Sequence, residues 1–393
     1  MTPDLKEEIA RLTPGLIELR RDLHRHPELA FQEHRTAEIV ADQLRDAGIA
    51  VTTGVGDTGV VGLLTGKAEG KTMALRADID ALPIDEESDS EYRSKTPGVM
   101  HACGHDGHTA VLLTTARVLA QHRDSLNGSV KFVFQPAEET ATGAERMIAA
   151  GVMKSPTVDA MMSVHLWNYL PVGEVGLRAG PIWASADEIR ITIKGRGGHG
   201  AMPHQTIDPI PVAAHVVLAL ENLVARETSP MDPVVFTIGS IQGGSAFNVI
   251  PSSVKMAGTL RAYDMALRDR LVERAEEIVR GVCLALRCEY DFEARFACPP
   301  VVNDPGVTEL VRRTAERSQG ADRVIEVAQS TAGDDVAYFF NEAPGCHIMI
   351  GSSNPARGLD RPHHHPRFDF DEGALPVAVE VLAGAVMEYL ADS

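Results

Sequence analysis

Near Glu188 the rhythm of the chain changes, and that change limits the folds open to it. Upstream, short apolar runs bounded by glycine alternate with segments of helical periodicity. "VVGLLTG", "KTMALRADID", "SVKFVFQPAEE" and "AMMSVHLW" predict strands, while "GHTAVLLTTARVLAQH" and "GAERMIAAG" predict helices. Runs so uniformly apolar suit strands covered by helices on both faces. Downstream, "EIRITIKG" predicts an alternating strand, "PIPVAAHVVLALENLVAR" a helix, and "VVFTIGSI" and "VKMAGTLRAY" two strands. "ALRDRLVERAEEIVRGVCLAL" then predicts an amphipathic helix and "CEYDFEARF" a closing strand. That order, β-α-β-β-α-β, is the split βαβ of ferredoxin-like domains. Beyond it the α/β pattern resumes with "GVTELVRRTAERSQG", "CHIMIG" and "GALPVAVEVLAGAVMEYLADS". The expected organisation is an α/β domain in two parts, 1–185 and 297–393, around an inserted ferredoxin-like domain at 186–296. A chain of 393 residues exceeds the size at which single cores usually split.

In the first part the polar side chains fall at strand ends. Asp78 and Asp80 close one strand, Glu138 and Glu139 follow a second, and His165 is expected near the end of a third. Open α/β sheets bind ligands in the crevice beyond the carboxyl ends of their strands, so separate stretches should converge on one edge.

The formal net charge of −18 makes the averaged field repel phosphate backbones and anionic lipid, which argues against nucleic acid and membrane surfaces as partners. A local arginine can still overrule that average for a small anionic substrate. No run of 18 uncharged apolar residues is visible, and the first residues lack a basic stretch followed by an apolar one, so neither a spanning helix nor a leader is expected. The five cysteines are sparse, odd in number and without a CxxC pair, as in a reducing cytoplasm.

Two histidine-rich stretches lie some 260 residues apart, "VMHACGHDGH" at 99–108 and "RPHHHPRFDFDEGAL" near the end. Neither has zinc-finger or HExxH spacing. Between them "QPAEE" puts two carboxylates side by side directly after an apolar strand. A metal hydrolase needs donors to hold the ion, an open coordination position for water, and a carboxylate outside the shell to take a proton. Cys103, as a thiolate able to bridge two ions, supplies sulfur. His105, His165 and one of His363, His364 and His365 supply nitrogen. One of Glu138 and Glu139 supplies oxygen, and the other is left as the base. His24, His26, His34, His122, His215 and His347 are read as structural, on helices or turns.

"RADIDALP", "HACGHDGHTAVLL", "FQPAEE", "VHLW", "GRGGHGAMPH", "NVIP", "GTLR" and "HHHPRFDFDEGAL", in this order, resemble the M20 metallopeptidase/amidohydrolase superfamily. They are most similar to its branch of N-acyl-amino-acid amidohydrolases, hippurate hydrolases and indole-acetyl-amino-acid hydrolases, over nearly the whole chain. The resemblance implies a di-metal aminopeptidase-like catalytic domain with the ferredoxin-like insertion as lid and dimerisation domain. It implies Cys103, His105, Glu139, His165 and His364 as ligands of two divalent ions, manganese or zinc foremost and nickel or cobalt as alternatives. It implies Glu138 as general base and Asp80 as a residue orienting the ligands, though a plain strand-end hydrogen bond would also explain Asp80. It further implies that His199 reaches the active site of a dimer partner to stabilise the oxyanion, and that Asn248 and Arg261 hold the substrate carboxylate. His101 and His108 resemble positions around the site that are not ligands. The implied reaction is hydrolysis of an N-acyl-L-amino acid, with acetyl, benzoyl or another acyl group, by a homodimer or a dimer-based tetramer.

Two stretches depart from the pattern. "AGDDVAYFF" has Asp334 where the superfamily usually has glutamate, and "ETATGAERM" lacks the usual glycine run. Both bear on substrate choice rather than on chemistry. A metallo-carboxypeptidase or dipeptidase would use the same donors on a substrate with a free amine, and a binding protein with the same fold would have lost turnover.

Overall fold

A computed structural model describes residues 3–391. The chain divides into two compact units: the larger runs to Ile182 and takes in Val302–Ala328 and the residues from Asp334 onward, and the smaller comprises Trp183–Val301 and Gln329–Gly333. The five residues Gln329–Gly333 carry no periodicity that would assign them to the insertion.

In the larger unit eight strands form one sheet in the order Ala50–Val55, Gly59–Thr65, Asn127–Gln135, Ala68–Asp78, Ala160–Pro171, Gly345–Ser353, Val175–Leu177 and Val324–Glu326. The four from Asn127–Gln135 to Gly345–Ser353 run parallel. Every residue of Gly345–Ser353 is buried, which is why that stretch reads as a continuous apolar run and not as an alternation. The edge strand Ala50–Val55 pairs antiparallel with Gly59–Thr65; its sequence "AVTTGV" is mostly exposed, with no residue buried, and gives no strong strand signal. Helices Pro3–Arg25, His105–Gln121 and Ala374–Ala391 pack against one another, and the last also packs on the central strands. The core they enclose contains Leu16, Val111, Phe132, Phe134, Val164, Ile348 and Leu382.

Parallel alignment does the positioning that the strand-end argument requires. Asp78 pairs with Gln135, so Asp80 and the Glu138–Glu139 pair leave neighbouring strands at the same edge. His165 is placed differently from expectation. It lies inside Ala160–Pro171, opposite Met349, rather than near the strand's end. It still reaches that edge because this strand outruns its neighbour Ala68–Asp78, whose last pairing with it is Arg76 to Ser163.

The smaller unit has a four-stranded antiparallel sheet in the order Val234–Gln242, Ser253–Ala262, Ala186–Lys194 and Glu289–Cys298. Helices Pro209–Glu227 and Met265–Ala285 pack on it, each capped by an aspartate, Asp208 and Asp264, that accepts a backbone N–H of the first turn. Ile189, Ile191 and Ile193 face Val216, Leu220, Leu271 and Val279 in a separate core. A two-residue ladder, Gly198–His199 with Val249–Ile250, is too short to announce itself in sequence.

Two helices, Pro209–Glu227 and Ala374–Ala391, are long and apolar enough by length and composition to cross a membrane. Both place apolar residues inside the protein: Leu375, Val379, Leu382 and Val386 enter the main core, and Val212, Val216, Leu220 and Leu223 enter the smaller one, while Ile210 and Leu218 of the first helix stay exposed.

Candidate metal centre

His105 opens the helix His105–Gln121 directly after Gly104, whose φ of 94° is the left-handed conformation glycine tolerates best. Its Nδ1 lies 3.0 Å from the Asp80 carbonyl and 3.2 Å from Asp80 Oδ1, so Nδ1 carries a proton and Nε2 is the ring nitrogen left for a cation. Burial opposes charge on the ring, but the neighbouring Asp78 outweighs it and holds the imidazole well above its usual range, so a cation would displace an Nε2 proton. That Nε2 is buried with no hydrogen-bond partner. Around it stand Asp78 Oδ2 at 3.7 Å, Glu138 Oε2 at 3.9 Å and Glu139 Oε1 at 3.9 Å, all too long for hydrogen bonds.

The other donors gather beside it. Cys103 Sγ lies 3.6 Å from His165 Nε2, and the His165 Nδ1 donates to the Leu166 carbonyl at 2.7 Å. Glu139 Oε2 lies 3.5 Å from His364 Nε2. Donor atoms of three sets, Cys103–His105–His165, Cys103–Glu139–His364 and His105–Glu138–Glu139, each fall within 4.8 Å of one another. Cys103, His105 and Glu139 each belong to two of these sets, so six side chains from four separate stretches form one continuous cluster.

The three consecutive histidines are sorted by their surroundings. His364 has φ of 65°, and its backbone N–H donates to the Ala102 carbonyl at 2.8 Å, a bend that brings its ring to Glu139. His363 stacks on Trp167 at 24° and 5.1 Å between centroids, with Phe368 at 4.9 Å. Its Nδ1 still comes within 3.9 Å of Cys103 Sγ. His365 Nδ1 accepts the Arg367 N–H.

The chemistry of the cluster fits divalent cations. Burial, with the charge of Glu139 next, holds the Cys103 thiol far above its usual range. Burial and then the carboxylates Asp334 and Glu139 push Glu138 well up, and burial chiefly raises Glu139 to about 7. Burial drives His165 and His364 down, toward the neutral form that ligates. His105 Nε2 and Glu139 Oε1 are buried and unpaired, which costs about 1–3 kcal/mol for each such group. A bound dication reverses each of these penalties by favouring the thiolate and carboxylates and by satisfying the orphaned atoms. Mixed sulfur, imidazole and carboxylate ligation suits first-row metals such as zinc, cobalt or nickel.

Two residues that the sequence did not assign, Glu33 and Arg76, hold these donors in place together with Asp78, Asp80 and His108, which it did single out. Glu33 is buried, accepts the Thr58 hydroxyl at 2.5 Å and the Ala137 N–H at 3.0 Å, and so pins Ala137 at φ of 54° just before Glu138. Nothing in "FQEHRT" signals this. Asp78 accepts from His108 Nδ1 at 2.6 Å, and His108 Nε2 in turn accepts the Leu166 N–H at 2.9 Å, beside His165. Both nitrogens of His108 are therefore engaged in bracing. Arg76, wholly buried, donates to Asp78 at 2.8 Å, to Gln135 at 2.8 Å, and to both oxygens of Asp334 at 3.0 and 3.1 Å. Asp80 joins two ligands, since its Oδ2 also accepts the Glu139 N–H at 3.0 Å. The unusual Asp334 thus lies on a buried arginine. His101 is buried with neither ring nitrogen hydrogen-bonded, and His347 lies on the strand Gly345–Ser353, 5.9 Å from the His165 ring, not on a helix or turn.

The remaining candidates belong to the smaller unit. His199 is exposed and pairs with Val249, and the Gly200 N–H donates to the Asn248 carbonyl at 2.8 Å, so His199 and Asn248 share one short ladder. A Cβ on Gly200 would sit 3.0 Å from the Asn248 backbone, so any larger residue would require that backbone to give by a few tenths of an ångström. Arg261 is half-buried on Ser253–Ala262, and its guanidinium lies against Gly333.

The chain matches the model for peptidase family M20/M25/M40 over residues 74–388. It is 45% identical over 303 residues to a Geobacillus stearothermophilus protein named N-acyl-L-amino acid amidohydrolase, covering 76% of this chain and 81% of that one. It is 39% identical to a Saccharolobus solfataricus protein named thermostable carboxypeptidase 2, over 94% of each chain. A solved Bacillus subtilis structure, described as a dinuclear metal binding peptidase from the M20 family, superposes with a TM-score of 0.84 at 35% identity, over 97% of this chain and 99% of that one.

Proposed function

Because the chain belongs to peptidase family M20/M25/M40, a family of hydrolases, we propose that it cleaves the amide bond of N-acyl-L-amino acids, releasing a carboxylic acid and a free amino acid. The observation that carries this reading is the convergence of Cys103, His105, Glu139, His165 and His364 with the Glu138 carboxylate beside them. Its support in the comparisons is the 45% identity to a protein named for that reaction.

The five donors would hold two divalent ions, which when bound polarise the amide carbonyl and make water acidic enough to be deprotonated near neutral pH. Glu138 is the base. Its Oε2 takes a proton from the attacking water and returns it to the departing nitrogen, so the carboxyl group ends the cycle as it began. Asp80 and Glu33 keep that carboxylate and its neighbour oriented through the backbone N–H groups of Glu139 and Ala137. In the smaller unit we assign Arg261 and Asn248 to the substrate carboxylate, arginine for its paired donors, and His199 to the oxyanion. A second copy of the chain is the proposed partner. The exposed Met202, Ile210, Phe247 and Val249 around the His199 ladder would be covered by it, and sedimentation at micromolar concentration tests this. All five cysteines are buried and unbridged, which suits a reducing cytoplasm.

The similarity to a named carboxypeptidase supports a second reading, hydrolysis of peptides with a free amine. Assays of metal-replete protein on N-acetyl-, N-benzoyl- and indole-acyl amino acids beside a dipeptide separate the two. Turnover of acylated substrates, lost on chelation and regained with metal, is expected. Turnover of the dipeptide alone would replace the first reading with the second.

A further inference from the structure

Arg20 lies on the helix Pro3–Arg25, distant in sequence from every donor, yet its side chain is fully buried and every edge of its guanidinium is used. Nε donates to Asp106 Oδ2 at 2.8 Å, Nη2 to Asp369 Oδ1 at 2.8 Å, and Nη1 to Glu372 Oε1 at 3.3 Å. The plane of the group lies 4.2 Å from the Phe370 ring centroid and 4.7 Å from that of Tyr92, whose hydroxyl donates to Asp369 Oδ2 at 2.6 Å. His24, one turn further along the helix, reaches the same Asp106 Oδ2 at 2.8 Å.

The carboxylates that Arg20 joins are not arbitrary ones. Asp106 directly follows His105, and Asp369 lies shortly after His364. The two segments also touch between these anchors. A Cβ on Gly107 would fall 2.8 Å from the Phe370 ring, so the start of the helix bearing His105 packs directly on the segment bearing His364. Burying a cation among three carboxylates is a poor way to gain stability, since well-packed apolar groups often do as well or better. The arrangement makes sense if what matters is the register of the segments it ties.

We propose that Arg20 is a positioning residue for the cation pair. By engaging Asp106 and Asp369 together it holds the segment of His364 against that of Cys103 and His105, so that both halves of the donor set are assembled before an ion enters. The inference rests on the two-cation function proposed above. Lysine cannot replace arginine here, because a single ammonium cannot fork to two carboxylates while stacking between two rings.

Cobalt(II) titration of the metal-free full-length protein tests this. Wild type is expected to bind two ions per chain. Arg20→Lys and Asp369→Asn should each weaken binding by about 10- to 100-fold, as loss of groups that orient metal ligands does. Their double variant should lose little more, because both cut the same link. Leu382→Ala, a core truncation at a residue outside the donor sets and outside the Arg20 link, should lower the melting temperature and leave cobalt affinity at the wild-type value. If Arg20→Lys fails to fold, Asp369→Asn carries the same expectation, because it leaves the Arg20–Asp106 pair intact. Cobalt affinity in these variants equal to that of Leu382→Ala, or strictly additive losses, would overturn the inference while leaving the proposed function standing. A wild type that binds no cobalt would overturn both.

Discussion

His364 Nε2 lies 3.5 Å from Glu139 Oε2, while the side chain next to it in sequence, His363, stacks on Trp167 beside Cys103. Adjacent residues of one type therefore have different tasks. His364→Ala should lose about one of the two ions after dialysis, and His363→Phe, which keeps a ring against Trp167, should retain both. Elemental mass spectrometry of the dialysed variants reads this directly. Equal metal loss in the two would remove the distinction.

The two adjacent glutamates should separate in the same way. Glu138→Gln keeps the shape of the side chain but cannot accept a proton, and should lower kcat by about 10²- to 10⁴-fold, the usual contribution of a positioned acid or base, with metal content unchanged. Glu139→Gln should instead deplete metal. Near-wild-type turnover in Glu138→Gln would mean the base lies elsewhere.

Gly107 is a packing constraint on the centre. An alanine Cβ there would sit 2.5 Å from Leu166 Cδ1 and 2.8 Å from Phe370 Cζ, and both side chains are wholly buried. Such overpacking costs about 1–3 kcal/mol, against a helix-propensity gain of at most about 1 kcal/mol. Gly107→Ala should therefore be less stable in chemical denaturation. A rise in stability would show that Leu166 and Phe370 yield freely.

His24 should make stability fall with alkaline pH. Burial opposes its charge, but Asp106, by charge and hydrogen bond, and Glu86 outweigh burial and the nearby Arg20 to raise it to about 9. Tyr92 and His101 also face the ring. A folded value above the unfolded one of about 6.5 means that the stabilisation is complete below about 6.5 and lost as pH climbs through 9. The loss is of order 3 kcal/mol, from a shift of between two and three units at about 1.4 kcal/mol per unit. Unfolding free energies from pH 6 to 10 should show this decline in wild type and a flatter profile in His24→Gln. Parallel profiles would assign the decline to other groups.

Much of the larger sheet and the six main elements of the β-α-β-β-α-β insertion are legible in sequence because burial on one or both faces writes a period into each strand. Edge strand Ala50–Val55 is not, since its "AVTTGV", mostly exposed and nowhere buried, needs no such period. Most donors are visible as residue types that ordinary surfaces seldom crowd together; among the three histidines the resemblance selects His364, but the residues alone do not, because that choice depends on a left-handed bend at His364. Glu33, Arg76 and Arg20 left no trace. Each acts through tertiary hydrogen bonds to residues far along the chain, and a lone charged residue on a helix or strand looks the same whether it meets solvent or a buried carboxylate.

The central claim is that two cations share one cluster built from Cys103, His105, Glu139, His165 and His364. Anomalous diffraction from crystals of the protein loaded with manganese or zinc measures it most directly. Two peaks within coordination distance of those five side chains are predicted. Peaks elsewhere, or a single ion that leaves Glu139 and His364 unbound, would contradict it.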